Sequence, residues 1–116
     1  GMSLLTACST PKTGAPEWFE NAVKTSDHQL LYMAEQLKDV PDTACFPRST
    51  KVDGSYRLEN AKDWTSGFYP GSMWLAYELS GDEALAKEAR RYTDRLESIQ
   101  YYTGNHDIGF MGMLFV

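Results

Sequence analysis

Apolar residues recur at helical spacing in the first third of the chain. Between Glu17 and Lys38 they fall on one face of a helix, and the positions are Phe19, Val23, Leu30, Ala34 and Leu37. This spacing is typical of an amphipathic helix that packs on one side. Pro41 cannot continue a helix, and Lys38 is suitably placed near the negative end of the helix dipole. The pattern predicts a first helix from Glu17 to Lys38.

Two more helices are predicted in the second half of the chain, joined by a tight hinge. One runs from about Ser66 to Leu79, with Ser66 as a possible cap and Pro70 in its first turn. Its apolar residues cover more than one face, which is typical of a helix packed between layers. Gly81 ends this helix, and Asp82 caps the next one. The third helix has an inward apolar stripe, formed by Leu85, Ala89, Tyr92, Leu96 and Ile99. Its other face is charged, and we interpret it as solvated; this face consists of Lys87, Glu88, Arg91, Asp94 and Arg95.

Residues 41–63 separate the first helix from the second and show no sustained period. They contain two prolines and an Asp53-Gly54 turn, so we predict a long loop with a short hairpin around Val52 to Leu58. Loops of this length are usually functional or disordered, and the aromatic and arginine content of this one favours function. Because strands and helices do not alternate anywhere in the sequence, the pattern predicts an all-α fold with about three helices.

Composition fits one folded domain and excludes some classes of partner. The chain has 116 residues, of which 42% are hydrophobic, and this is enough to form a core. Its net charge of -5 and its lack of a dense Lys/Arg block argue against binding to nucleic acid or to anionic lipid. The sequence has no apolar run near the roughly 20 residues that span a bilayer.

Residues 1–15 read as a signal-like segment followed by a tether. The run Leu4-Leu5-Thr6-Ala7-Cys8-Ser9 resembles the end of a bacterial lipoprotein signal, in which Cys8 would be lipidated. A basic region and a longer apolar stretch, which such signals carry, are missing, so an accidental match is the alternative. The first interpretation predicts a lipid anchor through Cys8 and a periplasmic or membrane-anchored bacterial lipoprotein.

Two segments contain residues suited to chemistry. In the first, "KDWTSGFYPGSMW", aromatic residues crowd around glycines, which suits a sugar site because flat rings cover pyranose faces; plain core packing is the alternative. In the second, "TGNHDIGF", Asp107 is a candidate acid, base or nucleophile, while helix capping is the alternative. His106 and Asp107 also suggest a metal site, but the only other histidine, His28, has no partner motif, so we predict neither metal nor cofactor.

Four motifs, in this order and spacing, resemble the N-terminal part of unsaturated glucuronyl hydrolases, glycoside hydrolase family 88. They are "CFPRSTK", "DWTSGFYPGSMWLAYELSGD", "LESIQYYTG" and "HDIGFM". The resemblance implies that residues 16–116 form the N-terminal part of an incomplete (α/α)6 barrel. It also implies an oligosaccharide substrate ending in a 4,5-unsaturated uronic acid, which the family removes by hydrating the vinyl ether and not through the usual carboxylate pair at the anomeric carbon.

The resemblance also assigns roles to individual residues. Asp107 matches one of the family's two essential aspartates, and Trp64 and Phe68 match aromatics that line the unsaturated-sugar subsite. His106 is expected to support the site, and Arg48 is a candidate partner for the acidic sugar. The second essential aspartate belongs to a later hairpin, and "FMGMLFV" does not continue as the family does. We therefore expect an N-terminal portion that is inactive alone and self-associates; the alternative is a non-catalytic helical binding or self-assembly module.

Overall fold

The computed structural model describes residues 14–104 of the chain. These residues form α1 (Glu17–Gln36), β1 (Phe46–Thr50), β2 (Tyr56–Glu59), α2 (Phe68–Ser80) and α3 (Glu83–Asp94), followed by a short 3-10 helix (Glu97–Ile99). Helices dominate, as predicted, and their bounds lie within a few residues of those that the apolar pattern indicates. Within the described residues, no helix is long and apolar enough to cross a membrane.

Helices α2 and α3 form a tight hairpin around the core. Gly81 ends α2 with a φ of 72°, a left-handed conformation that glycine adopts readily, and its N–H donates to the Tyr77 carbonyl. The Asp82 carboxylate then accepts a hydrogen bond of 2.9 Å from the Ala84 N–H at the start of α3. Both predictions for this hinge are confirmed. The predicted inward stripe is also confirmed, since each of its five members is at most 3% exposed.

The strands β1 and β2 pair antiparallel, and Phe46 of β1 contacts Tyr92 of α3. Phe46 pairs with Glu59 and Thr50 with Tyr56, with a bulge between Pro47 and Ser49. The predicted hairpin is thus confirmed, but its bounds differ from Val52 to Leu58: the first strand ends at Thr50, and Val52 lies in the turn. The β-hairpin reaches the core through Phe46, the first residue of β1, which is buried, whereas the last three residues of this strand are exposed.

Tyr92 of α3 joins the β-hairpin to the helices. Its hydroxyl donates 3.0 Å to the carbonyl of Cys45, and its ring contacts Phe46 and Tyr69 edge to face at 5.4 and 4.6 Å. Burial, with a smaller contribution from the neighbouring Cys45, raises the pKa of Tyr92 to about 12, so the hydroxyl keeps its proton for this bond. Cys45 itself is buried and has a free thiol.

Three details differ from the predictions. Ser66 does not cap α2: the helix begins at Phe68 after Gly67, and the Ser66 hydroxyl is buried with no hydrogen-bond partner among the described residues. The third helix is not continuous to Ile99, because its α-helical part ends at Asp94 and the chain tightens into the 3-10 turn.

The charged face of α3 is only partly solvated, which is the third difference. Arg95 is 17% exposed, forms a 2.7 Å ion pair with Asp42, and places its guanidinium 4.8 Å from the centre of the Tyr92 ring. Glu88 and Arg91 pair with each other at 2.8 Å and are also half-buried. Lys87 and Asp94 are exposed, as predicted. Arginine stems packed on a core aromatic ring explain the difference.

Helix α1 begins at Glu17 as predicted, ends at Gln36, two residues before the predicted end, and packs loosely. Its N-cap is Pro16, without a side-chain capping bond, and none of its 20 described residues is buried. Leu37, immediately after the helix, is 1% exposed and is the point at which this segment enters the core. A cleft of about 910 Å³ lies between α1 and α3, with Leu31 and Arg90 among its lining residues.

Candidate functional site

Trp64 and Phe68 form an exposed aromatic pair at the start of α2. Their rings meet edge to face, with centroids 6.0 Å apart and planes at 88°. Trp64 is 44% exposed and Phe68 48%, although their neighbours Gly67 and Tyr69 are buried. Large aromatic side chains that stay exposed next to a packed helix start present flat apolar surface for a ligand.

The other aromatic residues of the same segment belong to the core. Tyr69 packs on Tyr92, and its hydroxyl donates to Glu88 at 3.1 Å; burial and the adjacent carboxylate hold the pKa of Tyr69 far above its ordinary value. The Trp74 indole N–H donates to the Thr93 hydroxyl at 2.9 Å in a buried contact. Core packing is therefore observed for Tyr69 and Trp74, and the sugar-site interpretation stays a prediction. Exposure singles out Trp64 and Phe68.

Arg48 of β1 lies near Trp64, one member of the aromatic pair. Its guanidinium carbon is 6.0 Å from the centre of the Trp64 ring, at the outer limit of a cation–π contact. Its Nη1 atom donates to Asp63 Oδ1 at 3.1 Å and stands 4.0 Å from Glu59 Oε1. The fold thus brings together Arg48, Trp64 and Phe68, which the sequence separates by up to 20 positions.

Asp63 organises the turn that carries Trp64. One carboxylate oxygen, Oδ2, accepts hydrogen bonds from the Thr65 N–H at 3.0 Å and from the Thr65 hydroxyl. Partial burial disfavours the charged carboxylate, but the Thr65 hydrogen bonds and the charge of Arg48 outweigh it, so the pKa of Asp63 lies below its ordinary value. Sequence reasoning missed this residue. The Asp-x-Thr spacing, which is typical of an Asx-type turn, was the available signal.

The segment that follows α3 contacts the loop that precedes Trp64. The Lys62 ammonium nitrogen lies 5.5 Å from the centre of the Tyr102 ring. A Cβ atom on Gly104 would stand 2.3 Å from the Tyr102 hydroxyl oxygen, so a side chain at position 104 would displace that ring. The "YYTG" motif is therefore adjacent to the "KDW" motif in the fold.

The remaining residues singled out in the sequence are not among the contacts that the structure describes for Trp64. His106, Asp107 and Cys8 lie outside the described residues. His28 is exposed on α1. Within residues 14–104, no group of three or more His, Cys, Asp or Glu side chains is arranged to hold a metal ion.

Known proteins resemble this chain in both sequence and structure. An unsaturated glucuronyl hydrolase of Formosa agariphila is 44% identical over 66 residues, which are 56% of this chain and 16% of that protein. An unsaturated glucuronyl hydrolase of a Bacillus species is 36% identical over 85 residues, covering 67% of this chain and 21% of its own length. No family model matches the chain.

A solved structure extends the likeness to the fold. The crystal structure of an unsaturated glucuronyl hydrolase specific for heparin matches with a TM-score of 0.70 and 43% identity, over 84% of this chain and 25% of that one. This match confirms the predicted fold class, an incomplete α/α barrel of which three helices are described. The chain spans about a quarter or less of the length of these relatives.

Proposed function

Because this chain is homologous to the unsaturated glucuronyl hydrolases, we propose that it supplies part of the sugar-binding site of such an enzyme. The proposed substrate is a lyase-generated oligosaccharide with a 4,5-unsaturated uronic acid at its non-reducing end. The proposed reaction hydrates the vinyl ether: a proton adds at C4 and water at C5, and the hemiketal opens to release the next sugar.

The observation that carries this proposal is the exposed Trp64–Phe68 pair beside Arg48. The unsaturated sugar ring is flat near its double bond and bears a carboxylate, so it needs an apolar face and a cationic donor together. The perpendicular rings of Trp64 and Phe68 supply the apolar face, and the Arg48 guanidinium supplies the cationic donor. Arginine has five N–H donors, and the contact to Asp63 engages the Nη1 end, so other donors can face a ligand.

Asp107 is the proposed catalytic group, and His106 its proposed support. A carboxylate there can transfer the proton to C4 or direct water to C5, provided its pKa matches the working pH. We predict negligible turnover by the 116-residue chain alone, because one carboxylate without its partner cannot perform both steps.

Sugar binding by the 116-residue chain tests the proposal. Titration with an unsaturated uronyl disaccharide, followed by calorimetry, should show binding that Trp64→Ala weakens about tenfold, or about 1.4 kcal/mol. Trp18→Ala is the matched control, since Trp18 is an exposed tryptophan on α1 and should leave the affinity unchanged. Equal losses in both variants, or no binding by the wild-type chain, would overturn the proposed site. Absorbance of the vinyl ether, recorded in parallel, reports turnover.

A self-assembly module is the second candidate function, favoured by the aromatic residues that α1 leaves uncovered. Trp18 is 71% exposed and Tyr32 55%. Such faces are covered by partners in stable assemblies. Self-association, the lipid anchor at Cys8 and the periplasmic or membrane-anchored location are likewise proposals for this chain.

A further inference from the structure

We infer that Asp63 is a positioning residue of the proposed sugar site, one that shapes the Trp64 turn and holds the Arg48 guanidinium at the Trp64 ring. The inference rests on the proposed function and deepens it, because it names what makes the site selective for an acidic sugar. Asp63 acts through Arg48 and Trp64 and not on the substrate itself.

The two carboxylate oxygens of Asp63 have separate tasks. Oδ2 accepts both hydrogen bonds from Thr65 and so fixes the turn from which Trp64 projects. Oδ1 accepts the 3.1 Å hydrogen bond from Arg48 Nη1 and so fixes the cation next to the same ring. One side chain therefore sets the relative position of the apolar face and the positive charge.

The local environment makes this ion pair stronger than an ordinary surface pair. The Asp63 side chain is 13% exposed and the Arg48 side chain 34%, so solvent screens them less than it screens two fully exposed groups. Glu59 offers Arg48 an alternative partner at 4.0 Å, but Arg57 already donates to the same Glu59 oxygen at 3.0 Å. Without Asp63, the charge nearest to Arg48 is a carboxylate on the β-hairpin, and no acceptor from the Trp64 turn holds the guanidinium at the ring.

Asp53 provides an internal comparison. In the turn between β1 and β2 it accepts hydrogen bonds from the Ser55 N–H at 3.0 Å and the Ser55 hydroxyl at 2.6 Å, which is the same turn chemistry as in Asp63 and Thr65. Asp53 is exposed, its carboxylate accepts the two Ser55 hydrogen bonds, and among residues 14–104 it forms no ion pair with an arginine. The turn alone therefore needs no ion pair, and the contact with Arg48 is an additional feature of Asp63.

The Asp63→Asn variant separates the two tasks. Asparagine still accepts the Thr65 hydrogen bonds, but it carries no charge to pair with Arg48. With the full 116-residue chain, affinity for an unsaturated uronyl disaccharide should fall five- to tenfold, while affinity for its uronate methyl ester should change less than twofold. Asp53→Asn is the matched control and should change neither affinity. Removing a negative charge near an anionic ligand would by itself tighten binding, so unchanged or tighter binding of the acid overturns the inference.

The Arg48→Gln variant tests the same pair from its other side. If Asp63 works through Arg48, adding Asp63→Asn to Arg48→Gln should cause no further loss of affinity for the acid. If Asp63→Asn lowers the affinity as much in the Arg48→Gln background as in the wild-type background, Asp63 does not act through Arg48, and the inference fails.

A ligand-free measurement keeps the inference separate from the proposed function. In proton–nitrogen NMR spectra, the indole N–H signal of Trp64, assigned with Trp64→Phe, should move in Asp63→Asn and Arg48→Gln but stay fixed in Asp53→Asn. The indole signals of Trp18 and Trp74 should not move in any of them. An unmoved Trp64 signal overturns the inference even if sugar binds, whereas a moved signal without sugar binding supports the positioning and overturns the proposed function.

Discussion

Helix α1 and the α2–α3 hairpin differ in how much of their apolar surface is buried. Both have apolar residues at helical spacing, and α1 is the longest helix in the described part of the chain. Six residues of α2 and five of α3 are nevertheless buried, whereas α1 has none. An apolar stripe therefore predicts that a helix forms, and only the presence of partner elements decides whether its stripe is covered.

Specific contacts explain why the α2–α3 side is better packed. The β-hairpin docks on Tyr92, Trp74 bonds to Thr93 across the two helices, and a glycine and an aspartate fix the hinge. Helix α1 begins without a side-chain cap and contacts the core only through half-buried residues such as Leu30, Leu31 and Met33. The core of the described chain is therefore the α2–α3 pair with its β-hairpin, and α1 is attached at its margin.

The largest expected effect comes from the same substitution made in both regions. Tyr92→Ala removes a fully buried ring and its bond to Cys45, and should lower the free energy of unfolding by about 3–5 kcal/mol. Tyr32→Ala, in α1, removes a ring that is 55% exposed and should change the free energy of unfolding by less than about 0.5 kcal/mol. Urea unfolding followed by circular dichroism measures both values.

A milder variant covers the case in which Tyr92→Ala does not fold. Tyr92→Phe keeps the ring and deletes only the hydroxyl bond, so it should cost about 1 kcal/mol. Equal costs for Tyr92→Ala and Tyr32→Ala would contradict the contrast between the two regions.

Much of the fold could be predicted from the sequence, because its determinants are local. The hinge follows from Gly81 and Asp82, and the stripe of α3 follows from a 3.6-residue period. The partial burial of Arg95 was not predicted, because its guanidinium lies over the Tyr92 ring and its ion-pair partner, Asp42, stands 53 positions earlier in a turn. The capping role given to Ser66 was wrong because the Asp63 turn, and not a serine side chain, leads into α2.

The site could be predicted only in part, for the same reason. Trp64 and Phe68 stand four positions apart, so one turn at the start of a helix brings them together. Arg48 was proposed as a chemically suitable partner for an acidic sugar, and its position depends on the contact of β1 with the turn that carries Trp64. Asp63 has no distinctive pattern beyond its Asp-x-Thr spacing, and its second contact, to Arg48, arises only in the folded chain. The predictions for His106 and Asp107 stay predictions.

A smaller effect is expected at the hinge that makes α2–α3 compact. Asp82→Ala removes the acceptor for the Ala84 N–H and should cost about 1 kcal/mol in the free energy of unfolding. Asp82→Asn is the control, because asparagine caps helices equally well and should stay within a few tenths of a kcal/mol of the wild type. If Asp82→Asn were as destabilising as Asp82→Ala, the charge of Asp82 and not its capping bond would account for the effect.

The smallest effect on stability is expected at Trp18. Its ring is 71% exposed and contacts Phe19 at 5.9 Å, so Trp18→Ala should change the free energy of unfolding by less than about 0.5 kcal/mol. The same variant should lower the average mass in light scattering, because the proposed self-association would cover this part of α1. A monodisperse wild-type monomer would contradict self-association, and a loss of more than 1 kcal/mol would show that α1 contributes to the core more than its exposure indicates. The two readouts therefore separate what α1 does for the folded chain from what it offers to a second copy.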